Sequence, residues 1–190
     1  MAERRTNTSY PNTNVANFEL GKIPPQALDL EEAVLGAIMV EKDAVISILD
    51  VIKPESFYKE THQTIFKAII DLSTRLEPID LLTVTEELRR RSQLEEVGGP
   101  VYLAQLTSKV GSAAHLEFHA KIIAQKFIQR ELIRVSSDIQ NRAFDDSIDI
   151  DDLLDFSEME LFKIAEGNIK RDTAQINVLV KQALKNIEEA

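Results

Sequence analysis

Apolar residues recur every three or four positions through most of the chain, the spacing of a helix that buries one face. The longest such run lies between Ser112 and Gly167 and predicts two long helices folded back on each other. Over about Ala113 to Phe144, one row is Leu116, Ala120, Ile123 and Phe127. A second is Ala124, Ile128, Leu132, Val135, Ile139 and Ala143. The return arm, about Ile150 to Glu166, sets Ile150, Leu154, Leu161 and Ala165 beside Leu153, Phe156, Met159, Phe162 and Ile164. An isolated hairpin this apolar leaves surface unburied and should have a partner.

Shorter periodic stretches precede the hairpin. Pro24 and Pro25 stiffen the entry to a first helix, about Ala27 to Val40, whose turns are marked by Leu28, Glu31/Glu32, Leu35 and Met39. Gly36 inside it costs about 1 kcal/mol against alanine, for which close helix approach is the usual reason. A second helix is expected from about Ala44 to Ile52, stopping before Pro54. A third runs over about Thr61 to Thr74. A fourth, capped by Asp80, carries Leu81, Leu82, Val84 and Leu88 and ends in Arg89-Arg90-Arg91, cations suited to the negative end of the helix dipole. Gly98-Gly99-Pro100 is the sharpest break, followed by a short helix with Val101, Tyr102, Leu103 and Leu106. Gly111 ends that helix, Ser112 is placed to cap the long arm, and residues 145–149 form the hairpin tip. The last segment is the most regular: Ile176, Leu179, Val180, Ala183, Leu184 and Ile187 make one apolar stripe that needs a surface to lie on.

These patterns define an all-α chain. The expected divisions are a flexible arm over 1–22, a compact helical head over 23–110, a helical hairpin over 111–167, and a linker with a C-terminal amphipathic linker helix over 168–190. Six Gly and six Pro in 190 residues agree with that class. Charge adds a second division. Residues 121–142 hold five Lys or Arg against two acids, whereas residues 145–160 hold eight acids and no base, so antiparallel arms would face each other with opposite signs. The formal net charge of −10 makes the whole chain a poor non-specific binder of nucleic acid. The absence of cysteine excludes a disulfide framework and thiolate chemistry, and fits a cytoplasmic setting. No apolar run has the length of a signal-peptide core or a membrane span.

Catalytic signatures are missing. The glycines, at 21, 36, 98, 99, 111 and 167, permit neither GxGxxG nor GxxxxGK[ST]. The pair His115 and His119 lacks the Glu position of a zinc-protease helix and an evident third ligand, so no metal site is expected. The acidic run at 145–152 lacks the Gly and terminal Glu of a calcium loop. The basic strip Lys121, Lys126, Arg130, Arg134 and Arg142 could be a nucleic-acid footprint, but Phe118, Phe127 and Phe144 occupy apolar helical positions rather than an open stacking platform. An interaction module without catalytic, cofactor-binding or metal-binding residues is the leading expectation, and a nucleic-acid-binding module the alternative.

Read together, Pro24-Pro25-Gln26, Glu32-Ala-Val-Leu-Gly36, Phe57-Tyr58, His62 to Phe66, Pro78 to Thr83, Gly98-Gly99 with Tyr102-Leu103, and Ser112-Ala-Ala resemble the N-terminal region of the bacterial replicative DNA helicases of the DnaB family. Arg130-Glu-Leu-Ile133, Leu153-Leu-Asp155 and Phe162 to Glu166 extend the resemblance through the hairpin. It covers about residues 23–190. The resemblance implies a collar of paired domains on a hexameric ring, where primase docks and a helicase loader can act. It also implies a following RecA-like ATPase domain, which would be the place of ATP and Mg and is absent from this chain. DNA would then be met through the intact ring, at the replication fork. Residues expected at hairpin contacts are Ile128, Arg130, Ile133, Arg134, Ile139, Leu153 and Leu154. The stripe from Ile176 to Ile187 would dock on a neighbouring subunit's ATPase domain.

Overall fold

The computed structural model describes residues 22–41, 44–109 and 115–166. The chain forms α1 (Leu28–Val40), two 3₁₀ turns (Ala44–Ser47 and Pro54–Ser56), α2 (Glu60–Thr74), α3 (Leu81–Arg90), α4 (Gly99–Ser108) and α5 (Leu116–Ala143). A sixth helix, α6, covers residues 150–166, and there is no strand among the described residues. The all-α expectation holds. Residues 1–21 of the expected arm over 1–22, Ser112 as a cap, the linker and the stripe from Ile176 to Ile187 lie outside the described residues. Among those described, no helix is long and apolar enough to cross a membrane.

Helix α1 is the axis of the head. Val34 to Met39 are all buried, as expected of a helix surrounded by others, and α1 packs on α2, α4 and α5. Around it gather Ile65, Phe66, Ile69 and Leu72 of α2, Val84 and Leu88 of α3, and Leu103 and Leu106 of α4. Leu116, Ala120, Ile123 and Ala124 belong to the same core, so the first half of α5 is a wall of the head. Each large aliphatic side chain buried here contributes about 1.5–3 kcal/mol.

The expected helix over Ala44 to Ile52 does not form. A 3₁₀ turn at Ala44–Ser47 gives way to further turns, with Ile48 N–H donating to Val45 O at 3.1 Å and Val51 N–H to Ile48 O at 2.9 Å. Five of the eight residues from Val45 to Ile52 are β-branched, which disfavours a helix, and Pro54 forbids its continuation. The tighter winding still buries Val45, Ile48 and Ile52.

Local chemistry sets the other ends. Asp80 caps α3, its Oδ1 accepting from the Leu82 and Thr83 amides at 2.9 Å while Thr83 Oγ1 accepts from Asp80 N at 2.9 Å. Helix α4 starts at Gly99 rather than Val101. Gly98 has φ +99°, and a Cβ there would stand 3.0 Å from Tyr102 Cβ, so glycine is required.

Two of the three arginines at the end of α3, Arg90 and Arg91, have a more specific task than the helix dipole. Glu87 is buried, and it accepts from Arg75 Nη2 at 2.8 Å, from Arg90 Nη2 at 2.8 Å and from Arg91 Nε at 2.7 Å. Burial alone would raise the Glu87 carboxyl; the hydrogen bonds from Arg90, Arg91 and Arg75 outweigh it and hold it at about 2, below its ordinary 4.5. A carboxylate depressed in the folded state stabilises fully above its unfolded value, and that stability is lost as pH falls through the folded value. Glu87→Gln should therefore cost about 1.5–3 kcal/mol near neutral pH. It should also flatten the decline of urea midpoints between about pH 4.5 and 2 relative to the wild type.

Candidate interaction surface

The second apolar feature of the head is polar at its centre. Glu31 lies in the apolar stripe of α1, between Leu28 and Leu35, and is 1% exposed. A carboxylate there must be supplied with donors. Its Oε1 accepts from Tyr58 N at 2.7 Å, and its Oε2 meets His62 Nδ1 at 2.7 Å and Lys59 N at 3.4 Å. His62, itself fully buried, reaches Tyr102 Oη through Nε2 at 2.8 Å. In the neutral ring Nδ1–H donates to the carboxylate, which leaves Nε2 to accept the phenolic proton. Burial, then the charge of Glu32, push the Tyr102 phenol up to about 12. Lys109 completes the chain by pairing with Glu32, whose carboxyl that contact lowers. One line of polar contacts thus joins α1, the loop before α2, α2 and α4.

The same loop carries the hairpin. Arg130 Nη1 donates to Pro25 O at 2.9 Å and Nη2 to Ser56 O at 2.7 Å. Its guanidinium carbon lies 5.6 Å from the Tyr58 ring centroid and 5.7 Å from that of Phe127. Burial pulls this guanidinium below its ordinary value, against the fields of Glu31 and Glu131.

Beyond Arg130, α5 leaves the head and pairs with α6. Arg134 meets Glu160 at 3.3 Å, and Arg142 lies 3.8 Å from the ring centroid of Phe156. Numbers rise on one arm as they fall on the other, so the arms are antiparallel. Val135 is fully buried between them, with Leu153, Phe156 and Ile164 half-buried. The tip is a pair of side-chain-backed turns. Asp145 Oδ1 accepts from Ser147 N at 3.0 Å and Asp149 Oδ1 from Asp151 N at 2.9 Å, the latter capping α6.

The expected hairpin residues scatter among three environments. Ile128, Ile139 and Leu153 are half-buried along the seam, while Arg134 bridges Glu131, Asp138 and Glu160. Arg130 is spent on the head. Ile133 and Leu154 are 43% and 54% exposed. Ile150, Leu154 and Leu161 share one exposed stripe of α6, and Leu132 is exposed on α5. Ile133 lies about 240° around α5 from Ile139, on another face. The basic strip is not one free surface, since Arg130, Arg134 and Arg142 have the partners just given. His115 and His119 have ring centroids 6.3 Å apart, and no group of three or more His, Cys, Asp or Glu converges among the described residues. Sequence reasoning missed the role of Glu31; an acid inside an apolar stripe was the available signal.

The profile of the DnaB-like helicase N terminal domain matches residues 23–125, more than half of the chain. The chain belongs to that family. It is 43% identical over 170 residues to the replicative DNA helicase DnaB of Rhodothermus marinus, covering 90% of this chain and 18% of the relative. It is 36% identical over 167 residues to that of Geobacillus stearothermophilus, covering 88% of this chain and 37% of the relative. The chain thus spans well under half the length of these relatives. The crystal structure of the N-terminal domain of DnaB helicase from Mycobacterium tuberculosis superposes with a TM-score of 0.71 at 35% identity, covering 74% of this chain and 99% of that one. A DnaB-like replicative helicase described with its interactions with primase shares the fold, with a TM-score of 0.63 at 23% identity over 74% of this chain and 31% of its own.

The polar line makes a graded prediction about the head. His62→Leu removes a donor from a buried carboxylate and should cost about 1–3 kcal/mol in urea unfolding. Tyr102→Phe leaves Glu31 satisfied and should cost about 0.5–1.5 kcal/mol. The order of the two midpoints checks which contact matters.

Proposed function

We propose that this chain is the non-catalytic N-terminal collar module of a hexameric replicative DNA helicase. Its hairpin pairs with that of a second copy, and the paired collar docks primase and, in some states, a helicase loader. The observation that carries this reading is the exposed apolar surface of the hairpin. Ile150, Leu154 and Leu161 on α6, with Leu132 on α5, remain uncovered in a single chain. An antiparallel two-helix element with such a stripe reaches a stable packing when a second pair covers it. The stripe, with Ile139 and Ile128 at its edge, is assigned to the second copy. Ile133, on a different face of α5, is assigned to primase, a partner that a relative sharing this fold is described as meeting.

In the intact protein, ATP hydrolysis belongs to a RecA-like domain outside this chain, and Ile176, Leu179, Val180, Ala183, Leu184 and Ile187 dock on that domain of a neighbouring subunit. DNA is engaged by the ring rather than by the collar, and the protein works in the bacterial cytoplasm at the replication fork. Reading the basic strip as a DNA footprint meets a specific difficulty: Arg130 and Arg134 are held by carbonyls and carboxylates of the chain itself.

The test is self-association by light scattering and sedimentation over a concentration series. Leu154→Asn with Leu161→Asn should weaken pairing about a thousandfold, at about 1 kcal/mol for each of the four half-exposed side chains lost across the two copies, with helix content retained. Ile133→Asn should leave pairing intact and reduce capture by the helicase-binding domain of the cognate primase. Pairing unchanged in the double variant would remove the stripe as the interface. Binding of the wild-type chain to DNA at low salt, lost in Arg130→Ala/Arg134→Ala, would favour the nucleic-acid reading instead.

A further inference from the structure

The hairpin is a cantilever. Helix α5 is fixed to the head core by Leu116, Ala120, Ile123 and Ala124, and then runs about 20 Å past Arg130 to its end. A tilt of about 10° at Arg130 moves the tip by about 3–4 Å at that length. Apolar side chains pack only when their atoms approach within about 4–4.5 Å, so a tilt of this size dismantles an interdigitated contact. Something must hold the angle.

Arg130 sits at the fulcrum. Its two terminal nitrogens donate to carbonyls of two separate segments, Pro25 at 2.9 Å and Ser56 at 2.7 Å, while its guanidinium carbon lies within about 6 Å of the ring centroids of both Tyr58 and Phe127. A planar fork that donates in two directions at once resists rotation as a flexible ammonium cannot. The residues it grips are themselves fixed: Glu31 Oε1 holds the Tyr58 amide at 2.7 Å, and Ser56 Oγ accepts from Lys53 N at 3.1 Å. The loop from Lys53 to Lys59 is therefore held from the head by a buried carboxylate and from the hairpin by a half-buried guanidinium.

We propose that Arg130 is a positioning residue, a clamp that fixes the hairpin's angle on the head through the Lys53–Lys59 loop and so presets the apolar stripe for pairing. The consequence for pairing rests on the collar reading above; the clamp does not. The same contact ties the entry of the chain at Pro25 to the hairpin, so a partner that pulls on that entry or on the exposed edge of Tyr58 acts on the hairpin's angle.

The sequence contains no cysteine, which permits clean labelling. Spin labels at Gln105→Cys, exposed on α4, and Asp146→Cys, exposed at the tip, report the head-to-tip distance by pulsed electron resonance. The full 190-residue chain is used, diluted with unlabelled protein so that distances within one chain dominate. The wild-type distribution should be narrow. Arg130→Met should at least double its width while helix content stays constant, and should weaken self-association about tenfold. Arg130→Lys, which keeps the charge and can reach one carbonyl, should fall between the two, and it carries the test if the methionine variant fails to fold. A width unchanged in both variants overturns the clamp. Broadening with undiminished self-association overturns its role in pairing. A wild-type chain that stays monomeric throughout sinks the collar reading instead, and the widths alone then decide the clamp.

Discussion

A carboxylate that is 1% exposed governs the layout of the head. Glu31 can remain there only if donors come to it, because a buried charge without hydrogen bonds costs more than any single apolar contact returns. The donors arrive from the Tyr58 amide and the His62 ring, which are 27 and 31 residues away in sequence. Satisfying one oxygen pair thus fixes where the loop before α2 crosses α1, and His62 then fixes α4 through Tyr102. Hydrophobic burial supplies most of the driving force for collapse, but it is not directional. The polar line selects one arrangement of helices from the several that would bury the same leucines.

The hairpin depends on that selection. Ser56 and Tyr58 stand where Arg130 can reach them because Glu31 holds the loop, so the angle of the exposed stripe is set more than one helix away from the stripe itself. Charge between the arms plays a smaller part than charge between arm and head. Arg134 crosses to Glu160 but shares itself with Glu131 and Asp138, and such partly exposed pairs contribute little on their own. Arg130, with carbonyl partners and burial, is the stronger constraint.

Much of this was legible in the sequence, for identifiable reasons. Long amphipathic runs such as α5 and α6 carry many repeats of one period, and Asp80 and Gly98-Gly99 carry unambiguous capping and turn chemistry. The segment Ala44 to Ile52 misled because its apolar spacing of three and four residues suits a 3₁₀ turn as well as a helix, and β-branching then decided the matter. The first apolar row of the long arm was visible, but periodicity cannot say whether Leu116 and Ile123 face another arm or the head; they face the head. The position of Arg130 was not legible at all, because carbonyls of Pro25 and Ser56 leave no mark in a pattern of side chains.

The acidity of α6 constrains how two hairpins can meet. Residues 145–160 hold eight acids and no base, so placing α6 against α6 of a second copy would set two such rows at close range in a partly dehydrated seam. Like charges there repel more strongly than in open water. Setting α6 against the partner's α5 instead brings the acids toward a helix with five bases and two acids between residues 121 and 142. Some of those bases are engaged within their own chain, yet their fields persist at this range, since screening at physiological salt extends over about 8 Å. A two-fold axis that crosses the hairpins, each acidic arm over the other's basic arm, covers the Ile150, Leu154 and Leu161 stripe without that repulsion. In the proposed pair the apolar surface would drive association, and the charge division would choose its register.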